Sequence, residues 1–366
     1  MILTVKDICD CIEAFAPHEF QESWDNSGLT VGLPQQPVNR ALLTIDVTEA
    51  VVEEAVSCGA QIIISHHPVT LTGIRKLTGA TGAQRTIFAA IRNGIALYAA
   101  HTNMDMAYGG VSHQMARKLD LRDIKTLLPQ EQHLRKLVTY VPLSCYEKVR
   151  AAVFKAGAGH TGKYDCCGFG VEGNGTFRAL TDARPFVGQR GELHTEREIR
   201  FETIFPAYLQ REVTEALLAA HPYEEVAYDV YTLQNRQQRI GLGVSGILPA
   251  PLDELRFLQL LKDAFAVPTL RHTPLLGKKV HKVALCGGSG SALAEHAIRC
   301  GAQAFVTADV KYHQFADVAE SILVADLGHF ESEQYTREIF HALITKKFPT
   351  FAVQFSNVNT NPINYL

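Results

Sequence analysis

Apolar residues recur along this chain with two different periods. From Val5 to Phe15 they fall at Val5, Ile8, Cys9, Ile12 and Phe15, a three-and-four spacing that predicts an amphipathic helix. The loop PHEFQESWDNSGLTVG follows, and then the period shortens. ALLTIDV predicts a strand, TEAVVEEAVSCGA a helix closed by Gly59, and QIIIS a second strand that delivers the chain to His66, His67 and Pro68. RTIFAAIRNGI predicts a helix stopped by Gly94, and ALYAA a strand leading into HTNMD. The order β-α-β-α-β is that of a parallel sheet with crossover helices.

The same rhythm returns late in the chain. KVALC predicts a strand, GGSGSALAEHAIRCGA a loop and helix, and QAFVT and SILVADL two further strands. The tetrapeptide Cys58-Gly59-Ala60-Gln61 recurs as Cys300-Gly301-Ala302-Gln303, an offset of 242 positions at which Leu43 meets Leu285, Glu53 meets Glu295, Ile64 meets Val306 and His67 meets Asp309. An identity at the same point of the same supersecondary unit predicts an internal duplication.

Between the halves the character changes. KLVTYVP predicts a strand, Ser144 with Glu147 a capping box before a helix ending in AGAG, YDCCGFGVEG and GTFRAL strands, REIRFETIFP a cleanly alternating strand, AYLQREVTEALLAAHP a helix and VAYDVYTL a strand. That β-α-β-β-α-β order predicts a ferredoxin-like unit, with RPFVGQRGELHTE as its most loop-like stretch. The expected fold class is therefore α/β, with duplicated β-α-β-α-β parallel-sheet halves forming one domain. Residues 1–129 and 236–366 make up those halves, and an α+β domain at 130–235 interrupts them.

Composition narrows the class of function. The chain of 366 residues is 46% hydrophobic and 20% charged, which suits packed cores, and Lys+Arg 35 against Asp+Glu 38 leaves a net charge of −3. That balance offers no basic field for a nucleic-acid backbone and no polybasic membrane patch. The eight cysteines contain no C-x-x-C pair and read as reduced thiols, and Asp7, Asp10 and Glu13 stand where a signal peptide would be basic and then apolar. A cytoplasmic protein is expected. The unusual number is 15 histidines, the residue that titrates near neutrality and most often binds metals.

In open parallel sheets, ligands bind beyond the carboxyl ends of the strands. QIIIS ends in His66 and His67, ALYAA runs into His101 and Asp105, and ILVADL runs into Gly328-His329-Phe330-Glu331-Ser332-Glu333. If a helix follows Gly328, His329 and Glu333 share one face while Glu331 points elsewhere and serves as an internal control. His66 and His67 can act together only if the chain leaves the strand there, as Pro68 encourages. His66, His67, Asp105, His329 and Glu333 are five N/O ligands, one more than a closed tetrahedral site holds, so two metals about 3.5 to 4 Å apart with a bridging carboxylate is the economical reading. The absence of a thiolate leaves Zn, Fe, Mn, Co or Ni open.

WDNSGLTVG, SHHP at 65–68, HTNMD at 101–105, CGGSG at 286–290, GHFESE at 328–333 and the closing NTNPI, spread in order over the whole chain, resemble the motifs of the GTP cyclohydrolase I type 2 homologues, the Nif-three-like family of dinuclear metal centres. The segment 130–235, with HPYEEVAYDVY, resembles the PII/CutA-like domain that longer members carry as an insertion. The resemblance implies two related halves, two divalent metals per subunit with Zn foremost, and a ring-shaped homo-oligomer, often a hexamer. It carries metal ligation onto His66, His67, Asp105, His329 and Glu333. The HTGKYDCC stretch at 160–167 departs from the pattern and leaves the insertion's role open.

A water activated at such a centre is a nucleophile at neutral pH, so the expected activity is hydrolysis of a C–N, amide or phosphoester bond, and the family name points to opening of the guanine imidazole ring of GTP at C8. The expected partner is thus a small molecule, a nucleotide among the candidates. His101, Asp309 and His313 are candidates for proton transfer or for supporting the ligands, against a plain surface or strand-capping role. GGSGS could hold a phosphate or simply turn the chain, and Trp24-Asp25-Asn26 could line a pocket, with loop packing the expected role. The competing functional class is a non-enzymatic metal-binding regulator or metal-delivery protein with a ligand-sensing insertion.

Overall fold

Four consecutive buried residues are tolerated only by a strand covered on both faces, and Ile62–Ser65 and Ala96–Ala99 are of that kind. The computed structural model, which describes residues 2–131, 133–235 and 237–366, separates the chain into two units, Met1–Pro129 with Gln238–Leu366, and Gln130–Gln237.

In the first unit, Arg40–Thr44, Ile62–Ser65 and Ala96–Ala99 run parallel, with Ala352–Phe355 parallel on one edge and Gly28–Val31 antiparallel on the other. The crossover helices are Glu49–Cys58, capped by the Thr48 hydroxyl and ended by left-handed Gly59, and Gly82–Arg92, capped by Thr81. Their apolar faces, including Val51, Val52, Ala55 and Ala90, close over Leu42, Ile63 and Leu97.

The second sheet of this unit repeats the device. Lys279–Leu285, Ala304–Thr307 and Leu323–Asp326 run parallel, with Arg271–His272 antiparallel beside the last and the 17-residue Gln237–Asp253 antiparallel beside the first. Arg122–Gln130 forms the outer edge. Leu43 pairs with Ile64 in one sheet, and Leu285 pairs with Val306 in the other, at the offset of 242 read from the sequence. The repeated tetrapeptide has a mechanical meaning: Gln61 Oε1 accepts the amides of Asn39 and Arg40 (2.9 and 3.1 Å), and Gln303 Oε1 accepts those of His281 and Lys282 (3.2 and 2.8 Å). Each Gln also donates to its glycine carbonyl, and the neighbouring cation, Arg40 or Lys282, caps the Cys58 or Cys300 carbonyl. Each Gln thereby pins the end of one helix to the start of a strand.

The sheets are mixed rather than wholly parallel, because Gly28–Val31, Arg271–His272 and Gln237–Asp253 run antiparallel to their neighbours. The expected loop and helix after KVALC are present, with a 3-10 turn, Ser291–Leu293, leading into the six-residue helix Ala294–Arg299.

The second unit runs Leu134–Pro142, helix Tyr146–Lys155, Gly168–Arg178, Leu193–Pro206, helix Gln210–Ala220 and Tyr228–Leu233. All pairings are antiparallel, and in space the fourth strand lies beside the first, the first beside the third and the third beside the second. Both helices cover one face, burying Val149, Val153, Val213 and Leu217 against Leu137, Val141, Phe201 and Phe205. The expected Ser144 capping box is replaced by a 3-10 turn, Leu143–Cys145, and Glu147 pairs with Arg150 instead. YDCCGFGVEG and GTFRAL together supply one strand, Gly168–Arg178, as the β-α-β-β-α-β order requires. Among the described residues no helix is long and apolar enough to cross a membrane.

Candidate metal centre

The Ile62–Ser65 strand ends just before the two histidines. The Ser65 hydroxyl donates to the His67 carbonyl (2.7 Å) and the His67 amide turns to Ile45 O (2.9 Å), so the chain peels away from strand geometry. Both imidazoles then reach one space, their centroids 5.0 Å apart. From the Ala96–Ala99 strand the chain passes His101 into a short helix, Thr102–Met106, that presents Asp105. Beyond Leu323–Asp326, left-handed Gly328 starts the helix His329–Glu333. Its two ends face one way: His329 Nε2 lies 3.0 Å from Glu333 Oε2. Glu331 accepts from Asn361 (2.8 Å) and stands apart, as the helical spacing required.

Each of the four imidazoles has Nδ1 engaged. His66 Nδ1 donates to the Ala100 carbonyl (2.9 Å), which turns Nε2 toward the centre. His67 Nδ1 meets Asp46 (2.7 Å), His101 Nδ1 meets Asp25 (2.8 Å) and His329 Nδ1 meets Asp309 (2.6 Å). Such acceptors fix the ring and aim the other nitrogen. The aimed nitrogens converge on Glu333 Oε2, at 2.9 Å from His67, 3.0 Å from His329 and 3.5 Å from His66, and His66 Nε2 lies 3.8 Å from Asp105 Oδ1.

Burial opposes a charged His67, but hydrogen bonds to Asp46 and Glu333 outweigh it and hold the imidazole up at about 10. His329 shows the same balance, burial against Glu333 and Asp309, and stands at about 9. Burial pushes the Asp105 carboxyl up to about 7, although His66 pulls it down. Glu333 is equally buried, yet the three imidazoles around it hold it well below the ordinary carboxylate range.

Three sets of side chains could each hold a metal ion: His66, Asp105 and Glu333; His67, His329 and Glu333; and His66, His67 and His101. The fit rests on more than proximity. His66 Nε2 and Asp105 Oδ1 are buried with no hydrogen-bond partner, a costly state for two polar atoms unless a further group satisfies them. The donors are all N and O, and burial pushes the nearby Cys286 thiol up, so no thiolate competes.

The other sequence candidates divide. His101 joins the cluster itself, its ring 5.3 Å from that of His66 and 5.4 Å from that of His67. Asp309 supports His329 and accepts from Ser289 (2.5 Å). His313 is exposed on the helix Tyr312–Val318, edge-on to Tyr312, and belongs to none of the three sets. The CGGSG loop is not an open phosphate cradle: the amides of Gly287, Gly288 and Gly290 are taken by the hydroxyls of Ser112, Ser332 and Thr307. It serves Glu333 instead, since a Cβ at Gly288 would come within 2.2 Å of Glu333 Oε1. Trp24, expected to pack, is 57% exposed and edge-on to His101 at 5.9 Å.

Sequence reasoning missed Asp46, and it offered Asp25 only as a pocket-lining or loop-packing residue, without its partner His101. Asp46 also accepts from Thr360 (2.8 Å), and Asp25 accepts from Thr102 (2.5 Å) and Ser27 (3.0 Å). Asp46 stands two residues beyond the strand Arg40–Thr44, within ALLTIDV, a strand end that the motif reading passed over.

Known proteins share this arrangement of chain. The profile described as Duf34/NIF3 (NGG1p interacting factor 3) matches residues 3–362. Proteins of Halalkalibacterium halodurans and Bacillus subtilis named GTP cyclohydrolase 1 type 2 homolog are each 36% identical, over 99% of this chain and 98% of the relative. A solved Bacillus cereus protein related to NIF3 has a TM-score of 0.87 at 35% identity, covering 100% of both chains. A Staphylococcus aureus protein has a TM-score of 0.79 at 26% identity, covering 100% of this chain and 99% of the other.

Proposed function

The chain belongs to the Duf34/NIF3 family, and from that membership and the geometry of its centre we propose that it is a dinuclear metal-dependent hydrolase. One observation carries the reading. The donor sets His66–Asp105–Glu333 and His67–His329–Glu333 share Glu333 and no other residue, which is the layout of two sites bridged by one carboxylate. Zinc suits the N/O donors best in this reading, with Fe, Mn, Co and Ni as alternatives.

Divalent ions held there would supply Lewis acidity and a nucleophile from water at neutral pH. The protein's own groups do the rest. Asp46, Asp309 and the Ala100 carbonyl hold three imidazoles in the orientation the sites need, and Gly288 leaves room for the bridging carboxylate. His101, backed by Asp25, presents its second ring nitrogen beside His66 and His67, placed to hold or move a proton during bond cleavage. The name carried by the relatives makes ring opening of GTP the first reaction to test. The reading includes a duplicated α/β unit interrupted by a PII/CutA-like insertion, and self-association into a hexameric ring in the cytoplasm.

The test is metal analysis of the purified protein, followed by hydrolysis of GTP and a metabolite pool with and without chelator. His329→Ala should lose both metal and turnover, and Glu331→Ala should keep both. Full metal content in His329→Ala overturns the proposal.

A second reading, metal-dependent regulation without turnover, draws on one observation: the unit Gln130–Gln237 holds a cavity of about 940 Å³ lined wholly by its own residues. Ligand binding to that unit that changes when chelator strips the metal, with no substrate turned over, would favour it.

A further inference from the structure

The cavity of the Gln130–Gln237 unit lies on the sheet face opposite its two helices. Along Leu193–Pro206, Phe201 and Phe205 face the helices, while Glu198 and Arg200, out of phase with them, line the cavity. Tyr140, the cross-strand partner of Arg200, lines it too. Its roof comes from the loop after Arg178 and from the HPYEE turn, which contribute Phe186 and Tyr223.

Glu198 is only 8% exposed, on a face that leaves Arg200 in solvent. Its Oε1 accepts from the Tyr223 hydroxyl (2.8 Å), and no donor among the described residues reaches Oε2. A Cβ at Gly175 would come within 2.0 Å of that oxygen, so glycine there keeps its space open. Phe177 and Phe186 flank the Tyr223 ring at 6.0 and 6.3 Å. A largely buried carboxylate with one donor and one oxygen open to the cavity, set among aromatic faces, is matched by a cation. The lining as a whole carries five carboxylates against two guanidinium groups, and one of these, Arg200, is held by Glu202 at 2.8 Å.

We propose that this cavity binds a small organic ammonium ion, with Glu198 as its counter-charge and Tyr223, Phe177 and Phe186 as its aromatic walls. A bare metal ion is the poorer occupant, because hard cations take six or more oxygens and no metal-competent set of side chains lies in this unit among the described residues. An alkylated ammonium matches both the single charge and the apolar wall, and the volume accommodates a molecule of metabolite size. The site is independent of the metal-centre reading and would stand if that reading failed.

The experiment is calorimetric titration of the full-length protein with choline and n-butylammonium, and with 3,3-dimethylbutan-1-ol, the neutral isostere of choline. The cations should bind about tenfold or more tightly than the alcohol, and Glu198→Gln should weaken them by a similar factor. Tyr223→Phe should weaken them less. Melting temperatures of Glu198→Gln and Tyr223→Phe close to that of the parent guard against a trivial folding defect. Equal binding of the alcohol, undiminished binding by Glu198→Gln, or no binding of either cation overturns the proposal. A mass change in Glu198→Gln with no loss of ammonium binding identifies the face as a contact between copies and equally overturns it.

Discussion

At the scale of single residues, the centre is organised by what stands behind the imidazoles. Asp46 illustrates this: its Oδ1 holds His67 and its Oδ2 is held by Thr360. Asp46→Asn keeps the shape but weakens the aim and basicity of His67, so metal retention against a competing chelator should fall by about 10- to 100-fold. An unchanged chelator midpoint would remove Asp46 from the site. A second consequence concerns protons. Without metal, His67 at about 10 and His329 at about 9 are charged at neutral pH. Their ion pairs with Glu333, Asp46 and Asp309 stabilise the metal-free fold fully below 6.5, the ordinary histidine value, and that contribution is lost as pH rises through 9 to 10. Metal needs both rings neutral and Asp105, at about 7, ionised, so zinc uptake near pH 7 should release between about two and three protons per subunit, a number that shrinks toward zero above pH 10. Calorimetry in buffers of different ionisation enthalpy reads it directly, and release that does not vary with pH would contradict it.

At the scale of elements, what was legible in the sequence was what obeys a period. The capped helix Glu49–Cys58 and the four-residue step from His329 to Glu333 repeat at the spacing their backbone dictates, and the short continuous apolar run of Ile62–Ser65 marks a strand covered on both faces. Hence the structure brings together the five side chains picked from strand ends. Edge strands escaped because two residues such as Arg271–His272 hold no period at all, and Asp25 escaped because it stands in a loop whose partner, His101, lies 76 positions away. The tetrapeptide repeat shows the opposite case, a local identity whose cause is tertiary. Gln303→Ala removes the acceptor of two strand amides that water can partly replace, so it should cost about 1 kcal/mol in urea unfolding, and Gln61→Ala a similar amount. Costs that differ severalfold between the two would mean that the halves do not share the device.

At the scale of the molecule, the two units have separate cores, one packed around Leu137, Phe201 and Val213 and the others around residues such as Leu42, Val51, Phe257 and Val283. Metal bound by the first unit stabilises that unit's folded state by mass action and offers nothing directly to the other core. Scanning calorimetry with added zinc should therefore move one transition upward and leave another in place, and a uniform shift of the whole endotherm would show the units to unfold as one. The order of the chain adds a temporal consequence. A ribosome releases His66, His67 and Asp105 first, then the whole of Gln130–Gln237, and only afterwards Asp309, His329 and Glu333. Neither of the two donor sets that meet at Glu333 can be complete before that carboxylate emerges. Filling of either of these two sets is thus a post-synthetic event, and an ion held at Glu333 would certify that the protein has been made through its interruption and folded back upon its beginning.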